Sequence, residues 1–233
     1  MTIRTYKGRR GRLSERQVAA LADPALLQPQ GSLLDLDVIF DGRPVTLEIG
    51  FGSGRLTADA GAAEPDRGFL VADVFTPGVA DLLIATQQRD LRNIAVVHGD
   101  ALVLLRERVA DNSLHGVRTW FPDPWPKARH HKRRLVNHTN AVLIAQRCAP
   151  GAIWQLATDD ADYAQQMQEV ITQCSLWSGG ASPRPERAVT HFEQRAIQAG
   201  RAVTDLRYVR GESITGGPHD GGRTVPHAVA GTR

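Results

Sequence analysis

The feature that most constrains the fold of this chain is a repeated alternation between strand-like and helix-like segments. Between residues 44 and 173, short apolar runs typical of buried strands are followed, after short links, by segments with helical character. Parallel strands need such crossovers, and the helices cover both faces of the sheet that results. The alternation therefore predicts a doubly wound, mostly parallel, Rossmann-like α/β sheet with helices on both faces.

The same pattern places the individual elements. The predicted strands are 44–49, 69–74, 94–97, 114–120 and 152–157, and the predicted helices are 55–63, 78–89, 101–109, 140–148 and 160–173. Residues 33–40 alternate and lead into an Asp41–Gly42 turn, a pattern typical of a strand. Beyond residue 174 the pattern weakens to a helix at 190–198 and a strand at 202–208.

The two ends of the chain differ from its centre. Residues 1–11 are basic and lack apolar periodicity, so we expect a flexible arm, and Ser14 with Gln17 forms the capping box of a short helix. Residues 211–233 are rich in Gly, Pro and Thr and are expected to be disordered. We therefore expect an arm with a short helix over 1–24, one α/β domain over 25–210, and a tail over 211–233.

Composition narrows the function classes. The chain has 233 residues, 42% of them hydrophobic, and a net charge of only +3, but its cations cluster at 4–16 and 127–134, which favours a nucleic acid partner. Its two cysteines, Cys148 and Cys174, are too far apart for a CxxC motif, which argues against a zinc site and fits a reducing cytoplasm. No apolar run has the length of a membrane span, so we expect no membrane association.

A proline-rich stretch, residues 121–126, is the least ordinary segment. Its three prolines exclude a central strand or a helix and predict a stiff loop that holds Asp123 and Trp125 in set directions. A basic run, 127–134, follows directly. An acid in a rigid frame beside a cationic patch is typical of a site that binds a polyanion and performs chemistry on part of it. The alternative is a surface loop followed by a solvated basic helix start.

A glycine-rich turn, Gly50-Phe51-Gly52-Ser53-Gly54, follows the predicted strand at 44–49. Arg55 occupies the position where the dinucleotide fingerprint requires glycine, and the G-x-G-x-G spacing instead resembles the first motif of S-adenosylmethionine-dependent methyltransferases. Asp73 and Asp100 end the next two strands. Because ligands of such sheets bind at the carboxyl ends of the strands, the two acids favour an adenosine-type ligand. Each could alternatively serve the helix that follows it.

Three further positions have competing interpretations. Asp159 could contact substrate or cap the helix that follows, and Thr190 and Glu193 have capping-box spacing. His130 and His131 are adjacent and cannot share one helix face, so we expect no metal site there.

Taken in order, these motifs resemble one family over roughly residues 4–206. The carrying segments are LEIGFGSG (47–54), GDA (99–101), FPDPWPK (121–127), HHKRR (130–134), ATD (157–159) and THFE (190–193), together with RRGRL (9–13) in the arm. They are similar to bacterial tRNA (guanine-N7-)-methyltransferases. The PDPWPK–HHKRR segment is specific to that family, whereas the glycine motif is shared by many methyltransferases.

The resemblance implies a class I methyltransferase fold, S-adenosyl-L-methionine as the methyl donor, and guanine N7 in the tRNA variable loop as the acceptor. The protein would act as a monomer or homodimer without a metal. The implied cofactor residues are Glu48, Gly50, Gly52, Gly54, Asp73, Asp100 and Asp123, with Asp123 also catalytic. The implied substrate residues are Lys127, Asp159, Thr190, His191, Phe192 and Glu193, and the implied RNA-backbone contacts are Arg129, His130, Lys132, Arg133 and Arg134.

The chain departs from the family pattern at three positions: Asp73 stands where Glu is usual, His191 where Lys or Arg is usual, and Ala196 where Gly is usual. Two other functions stay open at this point. One is methylation of another RNA position or of a small nucleotide. The other is RNA binding by a degenerate methyltransferase fold without catalysis.

Overall fold

The structure is a computed structural model, and it describes residues 3–7, 11–23, 27 and 31–212. The strands are Val45–Ile49 (β1), Gly68–Asp73 (β2), Ile94–His98 (β3), Leu114–Trp120 (β4), Cys148–Thr158 (β5), Trp177–Ala181 (β6) and Thr204–Arg210 (β7). The helices are Glu15–Ala22 (α1), Leu36–Phe40 (α2), Arg55–Ala63 (α3), Thr76–Gln88 (α4), Ala101–Glu107 (α5), His138–Arg147 (α6), Ala161–Thr172 (α7) and His191–Gln198 (α8), with a 3₁₀ helix at Ala128–Arg133. The tail expected to be disordered lies, from residue 213 onward, outside the described residues.

The strands form one seven-stranded sheet in the order β3-β2-β1-β4-β5-β7-β6. The first five strands are parallel, and β7 runs antiparallel to both β5 and β6. This arrangement confirms the predicted mostly parallel, doubly wound sheet. Because β1 pairs with β2 on one side and β4 on the other, the strand order reverses there, and ligands bind at that crevice in such sheets.

Neighbouring residues of β2 show that both faces of the sheet are buried. Phe69 and Val71 belong to a core cluster that includes residues of α1, α3 and α4, whereas Leu70 and Ala72 belong to a larger cluster that includes residues of α5, α6 and α7. Successive strand residues point to opposite faces, so a strand that is apolar on both faces requires helices on both sides. The predicted helices on both faces are confirmed.

The strand predicted at residues 33–40 is wrong. Its second half is helix α2, which begins after Asp35, whose side chain accepts a hydrogen bond from the Val38 amide at 3.1 Å. Leu36 and Phe40, one helical turn apart, are both buried, while Asp37 and Val38 are exposed. The capping aspartate and the apolar pair at helical spacing favour a helix in this segment. A run of five residues is too short for its hydrophobic pattern to distinguish a helix from a strand.

The C-terminal part of the sheet also differs in detail. Strand β5 starts at Cys148, which we expected to end the preceding helix, and burial raises the pKa of this thiol to about 12. Strand β6 is absent from the prediction because two of its five residues are Gly179 and Gly180, which have low strand propensity.

The predicted capping box of Ser14 and Gln17 is confirmed at the start of α1. Of the helices in the described ranges, none is both long and apolar enough to span a bilayer.

Candidate active site

A pocket lies at the carboxyl ends of the central strands, where the topology places a ligand. Its polar lining includes the carboxylates of Asp73, Asp100 and Asp123, which end or follow three different strands. Its aromatic walls include Trp120 and Phe192. The structure therefore brings together three acids of which the first and the last, Asp73 and Asp123, are 50 positions apart in the sequence.

The glycine turn approaches this pocket through backbone conformations that other residues avoid. Gly50, Gly52 and Gly54 have φ angles of 77°, 65° and 74°, in the left-handed region. Gly50 and Gly52 line the pocket, whereas Gly54 begins α3, and a Cβ there would lie 2.5 Å from the Cβ of Leu82. The first two glycines allow close approach to a ligand, and the third allows close helix packing.

A fourth glycine, Gly78 in α4, was not singled out in the sequence. A Cβ on this residue would lie only 1.7 Å from the carbonyl oxygen of Gly52. Helix α4 therefore packs directly against the glycine turn and fixes its position. No local sequence rule identifies this contact, because the two residues meet only after the sheet has formed.

Asp73 connects the glycine turn to the start of α4. Its Oδ2 accepts a hydrogen bond from the Gly52 amide at 2.7 Å, and its Oδ1 accepts one from the Phe75 amide at 2.8 Å. The carboxylate also lines the pocket, at the carboxyl end of β2.

Asp100 has the capping role that was one of its two predicted interpretations, and it also faces the pocket. It is the N-cap of α5, where its Oδ1 accepts a hydrogen bond from the Leu102 amide at 2.8 Å, and it also lines the pocket. Structural capping and a ligand-facing position are therefore compatible for this side chain.

Glu48, another of the expected cofactor residues, is buried in β1 and is not among the pocket-lining residues. Its carboxylate accepts a hydrogen bond from the Thr57 hydroxyl at 2.9 Å. Burial raises the pKa of Glu48, against the opposing effects of this hydrogen bond and the positive charge of Arg118. In this conformation the carboxylate holds α3 against β1.

The proline-rich loop is neither strand nor helix, as its prolines predicted. Phe121 and Trp125, on either side of Pro122-Asp123-Pro124, have φ angles of 53° and 47°, unusual for residues other than glycine. The Trp125 ring is buried, with the Arg133 guanidinium 4.9 Å from its centroid. Asp123 is thus held between two anchored aromatic residues.

The basic run that follows divides into exposed and buried cations. Four of the expected RNA-backbone side chains, those of Arg129, Lys132, Arg133 and the half-buried His130, lie on or near the surface of the 3₁₀ helix, and Lys127 precedes them. Partial desolvation and the cations around it lower the pKa of His130, which favours the neutral imidazole. Lys127, Arg129, Lys132 and Arg133 therefore form an exposed group of cations beside the proline-rich loop.

Arg134 was expected to contact the RNA backbone, but the structure buries its side chain. Its side chain is only 1% exposed, donates to the Pro124 carbonyl at 2.8 Å, and forms an ion pair with Asp162 at 2.5 Å. Its guanidinium also lies over the Tyr163 ring, 4.8 Å from the centroid. Arg134 therefore holds the proline-rich loop on α7 and is not positioned to contact RNA.

The structure confirms the capping box predicted in the segment 190–193 and places one of its residues at the pocket. Thr190 and Glu193 form the capping box of α8, as their spacing predicted. His191 is exposed, and Phe192 lines the pocket, with its ring stacked on Phe121 at a centroid distance of 6.4 Å. Of these four residues, Phe192 is the one that lines the pocket.

Glu193 is buried beneath this segment as part of a charge cluster. It accepts a hydrogen bond from the Arg184 Nε at 2.6 Å, and it also contacts Arg187, which pairs with Asp205 at 2.5 Å. Burial favours the neutral acid, but the Arg184 hydrogen bond and the Arg187 charge outweigh it and lower the pKa of Glu193. The Arg187 guanidinium also lies over the Trp120 ring. The cluster connects α8 to the pocket wall.

Asp159 lies outside the pocket lining, and its alternative capping role is wrong. It accepts a hydrogen bond from the Arg201 Nε at 2.9 Å and forms an ion pair with the same guanidinium, whose Nη2 lies 2.8 Å from its Oδ2. The next residue, Asp160, is the N-cap of α7 and accepts a hydrogen bond from the Tyr163 amide at 2.8 Å. Strand β5 ends one residue later than predicted, which moves the cap by one position.

The N-terminal arm contains site residues that the sequence did not reveal. Thr5, Tyr6 and Lys7 line the pocket, and the Lys7 amide donates to Asp123 Oδ2 at 2.8 Å. The expected flexible arm is therefore wrong for this part, which docks on the proline-rich loop, while residues 8–10 lie outside the described part of the chain. Basic composition without periodicity contains no signal for such docking.

Comparison with known proteins agrees with this geometry. The model of the family described as "Putative methyltransferase" matches residues 42–206. The chain is 13% identical to the crystallised 16S rRNA methyltransferase KamB, with a TM-score of 0.58, covering 77% of this chain and 95% of that one. A 16S rRNA (adenine(1408)-N(1))-methyltransferase from Catenulisporales acidiphilia, solved with S-adenosylmethionine, has a TM-score of 0.52 at 12% identity, covering 73% and 87%. At these identities the likeness concerns the fold, which is that of class I methyltransferases.

Curated relatives are much more similar in sequence. The chain is 45% identical to the tRNA (guanine-N(7)-)-methyltransferase of Streptomyces coelicolor, over 89% of this chain and 81% of the relative. It is 43% identical to the protein of the same name from Alkalilimnicola ehrlichii, over 90% of this chain and 93% of the relative. With this identity along most of both chains, the protein belongs to the tRNA (guanine-N(7)-)-methyltransferase family.

Proposed function

We propose that this protein transfers a methyl group from S-adenosyl-L-methionine to N7 of a guanine in tRNA, at position 46 of the variable loop. The observation that carries the proposal is the position of Asp123. It lines the same pocket as the glycine turn and Asp73, and it lies on the loop that leads into the exposed cations of the 3₁₀ helix. A nucleoside-type pocket and a phosphate-binding surface thus meet at one carboxylate.

The residues of the pocket fit S-adenosylmethionine. Asp73 would accept hydrogen bonds from the ribose hydroxyls, and Asp100 would face the adenine, whose ring can lie against Phe75 and Ala101. Gly50 would bring the backbone close to the amino acid portion. When bound, the cofactor supplies an electrophilic methyl group on a sulfonium.

Guanine N7 makes modest chemical demands on the protein. The nitrogen has an in-plane lone pair and no proton at neutral pH, so a direct displacement needs no obligatory general base. What accelerates it is alignment of the reacting atoms and stabilisation of the positive charge that develops on the purine. Asp123 supplies a negative charge at the pocket, and its carboxylate could also accept hydrogen bonds from the donor edge of guanine.

Asp73→Ala is expected to weaken S-adenosylmethionine binding by about 1–3 kcal/mol, the scale of charge-assisted hydrogen bonds that the variant can no longer form. The substitution also releases the Gly52 amide, so the glycine turn loses its anchor. Isothermal titration calorimetry without RNA measures the effect. The control is Asp66→Asn, which changes an exposed carboxylate just before β2, at the amino ends of the parallel strands and away from the pocket. Equal affinities of Asp73→Ala and wild type would remove Asp73 from the ribose site.

The exposed cations predict a strong salt dependence of tRNA binding. Replacing Lys132 and Arg133 by Gln should reduce the slope of log affinity against log salt by about 0.7–0.9 for each phosphate that is no longer neutralised. Arg92→Gln is the control. It changes an exposed arginine just before β3, at the amino ends of the parallel strands, and should leave the slope unchanged. Filter binding over a salt series measures all three proteins. An unchanged slope in the double variant would place the RNA on another surface.

The reaction itself is tested with unmodified tRNA and labelled S-adenosylmethionine, followed by digestion and identification of the modified nucleoside. The proposal expects label in 7-methylguanosine, at position 46 when the RNA is mapped. Label in another nucleoside would favour methylation of a different position. Cofactor binding without transfer to any RNA, or no cofactor binding at all, would contradict the proposed reaction.

A further inference from the structure

We infer that the backbone amide of Lys7 is a positioning group for methyl transfer, because it orients the Asp123 carboxylate from the N-terminal arm. The inference rests on the proposed function, in which Asp123 stabilises the purine that becomes cationic. The carrying contact is the hydrogen bond from the Lys7 amide to Asp123 Oδ2, at 2.8 Å between residues 116 positions apart.

A second hydrogen bond attaches the arm to the proline-rich loop. The Trp125 Nε1 donates to the Thr5 carbonyl at 3.0 Å, so Thr5 and Lys7 are held by Trp125 and Asp123 on the two sides of Pro124. The Lys7 ammonium also lies 5.4 Å from the centroid of the Trp125 ring. Residues two apart in the arm thus meet residues two apart in the loop, which gives the docking a defined register.

The other end of the arm is anchored to α4. A Cβ on Gly11 would lie 2.6 Å from the Pro77 ring, so the backbone there is in close contact with the first turn of α4. Gln17 of α1 donates to Asp81 of α4 at 2.8 Å. Between Lys7 and Gly11 the chain can span at most about 14 Å. The anchor therefore keeps Lys7 close to the pocket even when its hydrogen bond opens.

The orientation of the Asp123 carboxylate depends on more than the loop backbone. Proline rings and left-handed neighbours restrict the backbone around Asp123, whereas χ1 and χ2 of its side chain are set by the groups that the carboxylate contacts, and the Lys7 amide is one of them. The Lys7 amide, which donates to one oxygen, favours one orientation of the carboxylate. Preorganised charges accelerate a reaction only while they point at the atoms where charge develops.

The test compares Lys7→Pro with Lys7→Ala. Both variants lose the lysine side chain, but only proline lacks the amide donor. With tRNA and S-adenosylmethionine both saturating, we expect single-turnover methylation by Lys7→Pro to be about tenfold slower than by Lys7→Ala, the scale of one hydrogen bond to a charged group. Lys7→Pro placed in an Asp123→Asn background should cost much less, because the acceptor charge is already gone.

An activity-independent measurement accompanies the rates. In the free protein, the Lys7 amide should exchange with solvent more slowly than in Asp123→Ala, as followed by NMR. Equal rates for the Pro and Ala variants, or unprotected Lys7 amides in wild type, would overturn the inference. Faster transfer by Lys7→Pro would also overturn it, and would mean that the arm competes with guanine for the carboxylate. Failure of the wild type to methylate tRNA would instead contradict the proposed function, while the exchange result would still stand.

Discussion

Replacing Asp123 by Asn is expected to slow methyl transfer by about two to three orders of magnitude, the size typical of losing one preorganised electrostatic group. The amide has nearly the same shape, so the proline-rich loop keeps its geometry while the negative charge at the pocket disappears. Binding of S-adenosylmethionine and tRNA should change little. Single-turnover methylation with both ligands saturating measures the effect, because it separates the chemical step from binding.

The control for this prediction is Asp66→Asn, which removes an exposed carboxylate at the amino ends of the parallel strands and leaves the pocket unchanged. Its rate should equal that of wild type. A rate of Asp123→Asn within a few-fold of wild type would leave Asp123 with a purely structural role. In that case, replacement of Pro122 or Pro124 should reduce activity more than the loss of the charge does.

Glu193→Gln is expected to destabilise the protein by about 3–5 kcal/mol, because removing one member of a buried ion-pair cluster leaves charge without compensation. Glu193 is 2% exposed, and its carboxylate accepts from Arg184 and contacts Arg187, which is itself buried. Urea denaturation measures the difference. Glu186→Gln, on the exposed side of the same loop, should change stability by no more than about 0.5 kcal/mol.

The stability contributed by Glu193 should depend on pH in a defined direction. Its pKa in the folded protein lies below the ordinary value of 4.5. The unfolded chain therefore takes up a proton first as the pH falls, so the contribution is fully present above 4.5 and is lost as the pH decreases through the folded pKa. The difference in unfolding free energy between wild type and Glu193→Gln should accordingly narrow below this pH. A difference that stays constant between neutral and acidic pH would contradict the assigned charge cluster.

Much of the fold follows from signals that act over a few residues. The alternation of strands and helices, the positive φ angles of Gly50 and Gly52, and the capping box of Thr190 and Glu193 all depend on neighbouring side chains and backbone. The position of acids at strand ends is also local, and parallel packing then brings the ends together. For this reason the five parallel strands, and the acids at their carboxyl ends that line the pocket, could be predicted from the sequence.

The remaining features depend on contacts between residues that are distant in the sequence. Arg134 ends a run of cations in the sequence, but its side chain is buried in the structure because α7 brings Asp162 to it. Gly78 needs to be glycine because the glycine turn packs on it, and Lys7 joins the site through a hydrogen bond across 116 positions. Local composition describes which conformations a segment can adopt, whereas the partner that buries or orients a side chain is determined by packing.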